Sequence, residues 1–206
     1  MRAAVIVAGG YGTRFDGRDK AVAAVGGVPM IRRVADAVAS LVDDVVVNLR
    51  DDQRAAIETA LEGLSVPVTY AVDPVPDRGP LAGIATGLAA TDAEYALVVA
   101  CDMPLVDPDF VEYLFEQAAG RDGAVPVERG DDREWVQPLQ AVYRVDAALA
   151  AARESMDAGA SRPLDAIADL DVHRVDVADT PGGAATLDNV NTRAQLRDVE
   201  RRLAEE

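Results

Sequence analysis

Lysine, histidine, cysteine and tryptophan each occur once in 206 residues, and aromatic side chains make up 4% of the chain. A single cysteine, Cys101, excludes an internal disulfide. It reads as a small buried hydrophobe, because a Cys–His nucleophile pair would have to bring distant His173 to it. No stretch approaches the ~20 apolar residues that a membrane helix needs. The apolar start, MRAAVIV, is too short for a signal peptide. These absences predict a soluble, cytoplasmic protein. Cations are scarce as well: 20 lysines and arginines face 36 acids, for a formal net charge of -16. The acids are scattered, with no disordered acidic tail. Such a field repels nucleic acid and anionic membranes, so neither is expected as a partner. A polyanion can still bind where backbone N–H groups, a cation and a divalent metal offset the field. Many acids, one lysine and small apolar residues fit a halophilic protein; genomic base composition would favour arginine over lysine too.

Half of the residues are hydrophobic, mostly Ala and Val, enough for a sizeable core. The length fits one domain over residues 1–206. Short apolar runs alternate with helical patterns. Strands are predicted at Ala3–Val7, Asp44–Leu49, Val66–Asp73 and Tyr95–Asp102. Helices are predicted at Met30–Val42, Asp51–Leu64, Pro80–Ala90 and Asp107–Ala119. This rhythm predicts a three-layer α/β/α fold of Rossmann-like type with a mostly parallel sheet. Ligands in such sheets sit beyond the carboxyl ends of the strands. Residues 1–105 would form a nucleotide-binding half and 106–206 an acceptor-binding half. In that second half VQPLQAVY (Val136–Tyr143) reads as one central strand and VHRVDV as a late strand, with a helix at the C-terminus. Glu128–Trp135 and Asp179–Gly183 read as mobile loops.

The single lysine, Lys20, follows a glycine loop in VAGGYGTRFDGRDK (Val7–Lys20). Gly9, Gly10 and Gly12 let the main chain approach a ligand closely. Successive N–H groups there can form an anion cradle, to which Arg14 and Lys20 would add cations. The alternative is a plain turn with a lysine beside it by chance. The spacing matches neither G-x-x-x-x-G-K-[ST] nor G-x-G-x-x-G. Asp102, after a wholly apolar strand, can hold a divalent metal or cap the next turn. In GPLAGIATGL, Gly79 and Gly83 bracket a helix start that could approach a base or phosphate. Ordinary helix–sheet packing is the alternative and suits Gly87 better. Gln137 could shape a pocket wall or lie on an edge strand. In DNVNT, Asn191 or Thr192 can cap the last helix, and Asn189 and Asn191 could also face a site.

Taken together, VAGGYGTRFDGRDK, GPLAGI, CDMP, QPLQAVY and NVNT, in that order, resemble the molybdenum cofactor guanylyltransferases over nearly the whole chain. These are nucleotidyltransferases on a Rossmann-like sheet. The resemblance implies GMP transfer from GTP to the terminal phosphate of molybdenum-bearing molybdopterin, with Mg²⁺ as cofactor and pyrophosphate as second product. It implies that Val7, Ala8, Gly9 and Gly10 hold the nucleotide and Lys20 its triphosphate. Asn48 and Asp73 would contact the guanosine portion, with Gly79 and Gly83 shaping that side. Asp102 would bind Mg²⁺, and Lys20, Arg14 and Asp102 would serve catalysis. Asn189, Asn191 and Gln137 would hold the pterin substrate. Transient contact with other cofactor-biosynthesis proteins or recipient enzymes follows from such a product. Asp16 departs from the family pattern, standing where a glycine is common.

Rival expectations are a sister transferase, such as a molybdopterin cytidylyltransferase, and a dinucleotide-dependent oxidoreductase. The second is disfavoured because the third glycine is missing and Asn48, not an acid, ends strand two.

Overall fold

The computed structural model describes residues 1–10, 19–75, 78–130, 133–180 and 183–205. Arg14, Gly12 and Asp16 of the glycine loop lie outside them, as do Asp131, Asp132, Pro181 and Gly182 of the two expected loops. The chain runs β1 (Arg2–Val7), a small hairpin β2 (Ala24–Val25) and β3 (Val28–Pro29), α1 (Met30–Val38), β4 (Asp44–Leu49), α2 (Arg54–Ala60) and β5 (Val68–Val72). It continues through α3 (Pro80–Leu88), β6 (Tyr95–Ala100), α4 (Pro108–Ala118), β7 (Gly123–Arg129), β8 (Glu134–Val136) and β9 (Ala141–Arg144). The last elements are α5 (Val145–Asp157), α6 (Pro163–Ile167), β10 (Val172–Asp176) and α7 (Arg193–Glu205).

The main sheet has the order β10-β7-β9-β6-β1-β4-β5, with β8 added on β7. Strand β1 pairs in parallel with both β4 and β6, and β4 with β5. On that sheet path only β9 runs antiparallel to its neighbours. The sheet is therefore mostly parallel, as the alternation of patterns predicts.

Period-two side-chain placement sorts the core into two layers. Ala4 and Ile6 of β1 face a cluster with Val34 of α1, Ile57 of α2 and Phe110 of α4. Ala3 and Val5 face the opposite cluster, with Ile84 and Leu88 of α3 and Ala148 of α5. Small Ala and Val side chains let the helices lie close to the strands. Gly87 takes this to its limit, since a Cβ there would collide with Val5 Cγ1 on β1. Gly87→Ala is expected to destabilise the fold by about 1–3 kcal/mol through overpacking, more than the ~1 kcal/mol that alanine gains in helix propensity. A lowered thermal midpoint checks this; an unchanged or raised midpoint would contradict it.

Three expectations need correction. The stretch Val136–Tyr143 is not one strand. Pro138 lacks an N–H for a ladder, and Gln140 takes a left-handed φ of 59°. The chain therefore leaves β8 at Val136 and rejoins the sheet as β9 at Ala141. Gln140 is fully buried there, its Nε2 donating to Thr186 Oγ1 at 2.6 Å. Secondly, Glu128–Trp135 is not only loop, because it carries the paired ends of β7 and β8. Thirdly, the predicted helix Asp51–Leu64 begins as a 3-10 turn, Asp51–Gln53, and is α-helical only over Arg54–Ala60. Asp107 caps α4 through Oδ1, which accepts from Asp109 N at 2.8 Å. Among the described residues no helix is long and apolar enough to cross a membrane.

Candidate functional site

A cleft of about 480 Å³ opens at the carboxyl ends of β1, β4, β5 and β6. Its walls include Val7, Ala8, Gly9, Gly10, Lys20, Asn48, Asp73, Gly79, Gly83 and Asp102, the residues expected from the sequence to meet the nucleotide and its metal. Asn191 reaches the same cleft from the segment before α7. Gln137 and Asn189 lie instead in a neighbouring polar groove, which Asn191 also lines. The two recesses thus share one residue.

Lys20 joins three distant parts of the chain. Its Nζ donates to Asp102 Oδ2, just beyond β6, and to Asn191 Oδ1 at 2.7 Å. The Lys20 and Asp102 side chains are only 14% and 15% exposed, so the pair is screened little by water. An ammonium has three donors, and these contacts use two. Asp102 Oδ1 is buried and accepts no hydrogen bond from the described residues. A backbone bond from Val190 N to Asp102 O at 2.8 Å holds the NVNT segment against this turn. The hydrophobic side of α7 supports it: Val190 and Val199 bury with Val25 and Met30 of the hairpin region. Thr192 supplies the helix cap, its Oγ1 accepting from Gln195 N at 3.2 Å, which leaves Asn191 free to face Lys20. Of the two cap candidates in DNVNT, Thr192 thus makes the capping bond and Asn191 the contact with Lys20.

On the opposite wall Asn48 is 0% exposed. Its Nδ2 donates to Asp73 Oδ1 at 2.7 Å and to Ala71 O at 3.3 Å. A carboxylate only accepts, which fixes the amide orientation and turns Asn48 Oδ1 toward the glycines. That oxygen has no hydrogen-bond partner among the described residues. A Cβ on Gly83 would collide with it, and a Cβ on Gly9 would meet Asp73 Oδ2. The small residues at positions 9 and 83 thus make room for the Asn48–Asp73 pair. Gly79 has its own reason to be glycine: as the residue before α3 it has φ 82°.

Cys101 lines the cleft but is buried, and burial beside Asp102 pushes its thiol far above the usual range. It is a wall, not a nucleophile.

Sequence reasoning missed two buried polar residues that hold the backbone of Ala8, Gly9 and Gly10. Gln53 Nε2 donates to Ala8 O at 3.0 Å. Arg50 Nη1 donates to Gly9 O at 3.0 Å and Gly10 O at 2.8 Å. Their signal was polar residues just past a buried strand, which reads equally well as a surface turn.

Comparison with known proteins follows the same lines. A protein from Natronomonas pharaonis named as a probable molybdenum cofactor guanylyltransferase is 45% identical, covering 98% of both chains. One of the same name from Haloferax mediterranei is 40% identical, over 98% of this chain and 94% of the other. Among solved structures, a molybdopterin-guanine dinucleotide biosynthesis protein A from Archaeoglobus fulgidus superposes with a TM-score of 0.77 at 22% identity, covering all of both chains. A 2-C-methyl-D-erythritol 4-phosphate cytidylyltransferase from Thermus thermophilus shares the fold, with a TM-score of 0.75 at 20% identity over both whole chains. The family model of the MobA-like NTP transferase domain matches residues 4–172. With most of its length under that model, the chain belongs to the MobA-like NTP transferase family of nucleotidyltransferases.

Proposed function

We propose that the protein transfers GMP from GTP to the terminal phosphate of molybdenum-bearing molybdopterin. An acceptor phosphate oxygen attacks the α-phosphorus of GTP. The bond from that phosphorus to the bridging oxygen breaks, and pyrophosphate leaves with the bonding electron pair. No redox step is involved, and the acceptor oxygen needs no strong base. The names of full-length relatives support GMP transfer in molybdenum cofactor biosynthesis. The observation that carries the reading is Lys20 Nζ, held at once by Asp102 and Asn191 where the two recesses meet. GTP as donor also implies action in the cytoplasm.

Each residue takes a role from its surroundings. Val7, Ala8, Gly9 and Gly10 form the backbone wall against the nucleotide. Lys20 pairs with the triphosphate through its remaining donor and steadies the leaving pyrophosphate. Asp73, held by Asn48, accepts from the guanosine portion, and Gly79 and Gly83 let that portion approach. Gln137, Asn189 and Asn191 position the acceptor. Arg14 keeps its expected role as a second cation on sequence grounds.

Asp102 fits Mg²⁺. Its buried Oδ1 is a hard donor with no partner among the described residues. Among the described residues no group of three His, Cys, Asp or Glu is set to hold a metal. One carboxylate suits an ion that otherwise takes phosphate oxygens and water. Bound there, Mg²⁺ would neutralise phosphate charge.

The test mixes purified protein with Mg²⁺, molybdenum-loaded molybdopterin and either GTP or CTP in concentrated salt, and follows pyrophosphate. Release with GTP and not CTP is the expected result. Release with CTP alone would keep the reaction and change the product. No release with either, from folded protein, would overturn the proposal.

A further inference from the structure

We infer that Arg50 and Gln53 are positioning residues that fix which way Gly9 and Gly10 present their N–H groups to a phosphate; the inference rests on the nucleotide site proposed above. Three consecutive carbonyls, those of Ala8, Gly9 and Gly10, are held from one side by Gln53 Nε2 and Arg50 Nη1, at 2.8–3.0 Å. In a trans peptide the C=O and the following N–H point in opposite directions. Holding the carbonyls of Ala8 and Gly9 on the Arg50 side therefore turns the N–H groups of Gly9 and Gly10 away from it. Neither N–H donates to another described residue. Both glycines line the cleft that holds Lys20 and Asp102.

The bracket is itself braced. Gln53 Oε1 accepts from Arg50 N at 2.9 Å, which fixes which end of the amide faces Ala8. Asp52 takes Arg50 Nε at 3.0 Å and Nη2 at 3.2 Å. Arg50 and Gln53 are 8% and 2% exposed, whereas the Asp52 side chain is 70% exposed. The guanidinium fork suits this task, because it can serve two carbonyls and a carboxylate in one plane.

Glycine peptides flip readily, since no Cβ restricts φ. Without the bracket, the peptides at positions 8–10 could turn their carbonyls into the cleft. A carbonyl oxygen repels a phosphate oxygen, whereas an N–H binds it. In a chain of charge -16, few cations would compensate. The penalty should fall on the phosphates and spare the nucleoside.

The experiment measures the affinities of GTP and guanosine by calorimetry, for wild type and three variants. Gln53→Glu keeps the shape and the acceptor for Arg50 N but opposes the Ala8 carbonyl with an oxygen. Arg50→Lys keeps the charge and loses the fork. Asp52→Asn alters only an exposed brace, so it stays folded if the buried changes do not. Expected is a fall of about ten-fold or more in the GTP-over-guanosine affinity ratio for the buried variants. For Asp52→Asn the fall is about two- to five-fold. A structural role alone would weaken both ligands together. An unchanged ratio in every folded variant, or equal losses of both ligands, would overturn the inference and leave the proposed function standing. A wild type that binds GTP no tighter than guanosine would overturn the phosphate site, and the inference with it.

Discussion

Lys20→Ala is expected to lower kcat/KM for GTP by about 10³-fold, the scale of losing one preorganised charge-assisted donor to a developing phosphate charge. Two effects combine. The leaving pyrophosphate loses its cation, which lowers kcat. Asp102 also loses its partner in a pocket where its side chain is only 15% exposed, so a bare carboxylate faces the triphosphate and GTP binding weakens. Lys20→Arg should restore little. The ammonium reaches Asp102 and Asn191 together as a compact charge, and a planar fork does not reproduce that geometry. Failure of Lys20→Arg to restore activity would account for a lone lysine among arginines. Steady-state kinetics with a thermal melt as folding control decide the matter; near-wild-type turnover in Lys20→Ala would rule the role out.

Asp102→Asn has the other large expected effect, a loss of turnover of about 10³-fold or more, together with loss of the response to Mg²⁺ concentration. The substitution is isosteric, and an amide oxygen can still accept from Lys20 Nζ, so the fold and the Asn191 contact should survive. The lost element is the anionic character of the buried Oδ1, which has no partner among the described residues. The double variant Lys20→Ala/Asp102→Asn should lose far less than the product of the two single losses, because the residues act as a pair. A Mg²⁺ dependence that persists in Asp102→Asn would move the metal elsewhere. Full additivity would mean that the two groups act separately.

Much of this was legible in the chain. The alternation of short apolar runs with helical patterns gave the parallel sheet, because period and length are local properties. The positions that mattered followed strand ends, and the topology of a parallel sheet carries strand ends to one edge. Lys20, Asp73, Asp102 and the glycines could therefore be grouped before any contact was known. The second half was harder to read. A proline and a buried glutamine in QPLQ break what looks like one strand, and only the pairing of β8 and β9 with different parts of β7 shows it.

The sequence by itself determined the fold class, the cleft and most of its lining, since these follow from periodicity and from residue types set at strand ends. Tertiary structure alone decided three things. Asn191 meets Lys20 across 171 positions, because α7 buries its apolar side on the hairpin at residues 24–29. Asn48 serves Asp73 from full burial, which explains why positions 9 and 83 admit no side chain. Arg50 and Gln53 turn inward to hold backbone carbonyls, although their sequence reads as a surface turn. Each of these is a hydrogen bond or contact between groups far apart in the chain, and its geometry exists only once the layers are stacked.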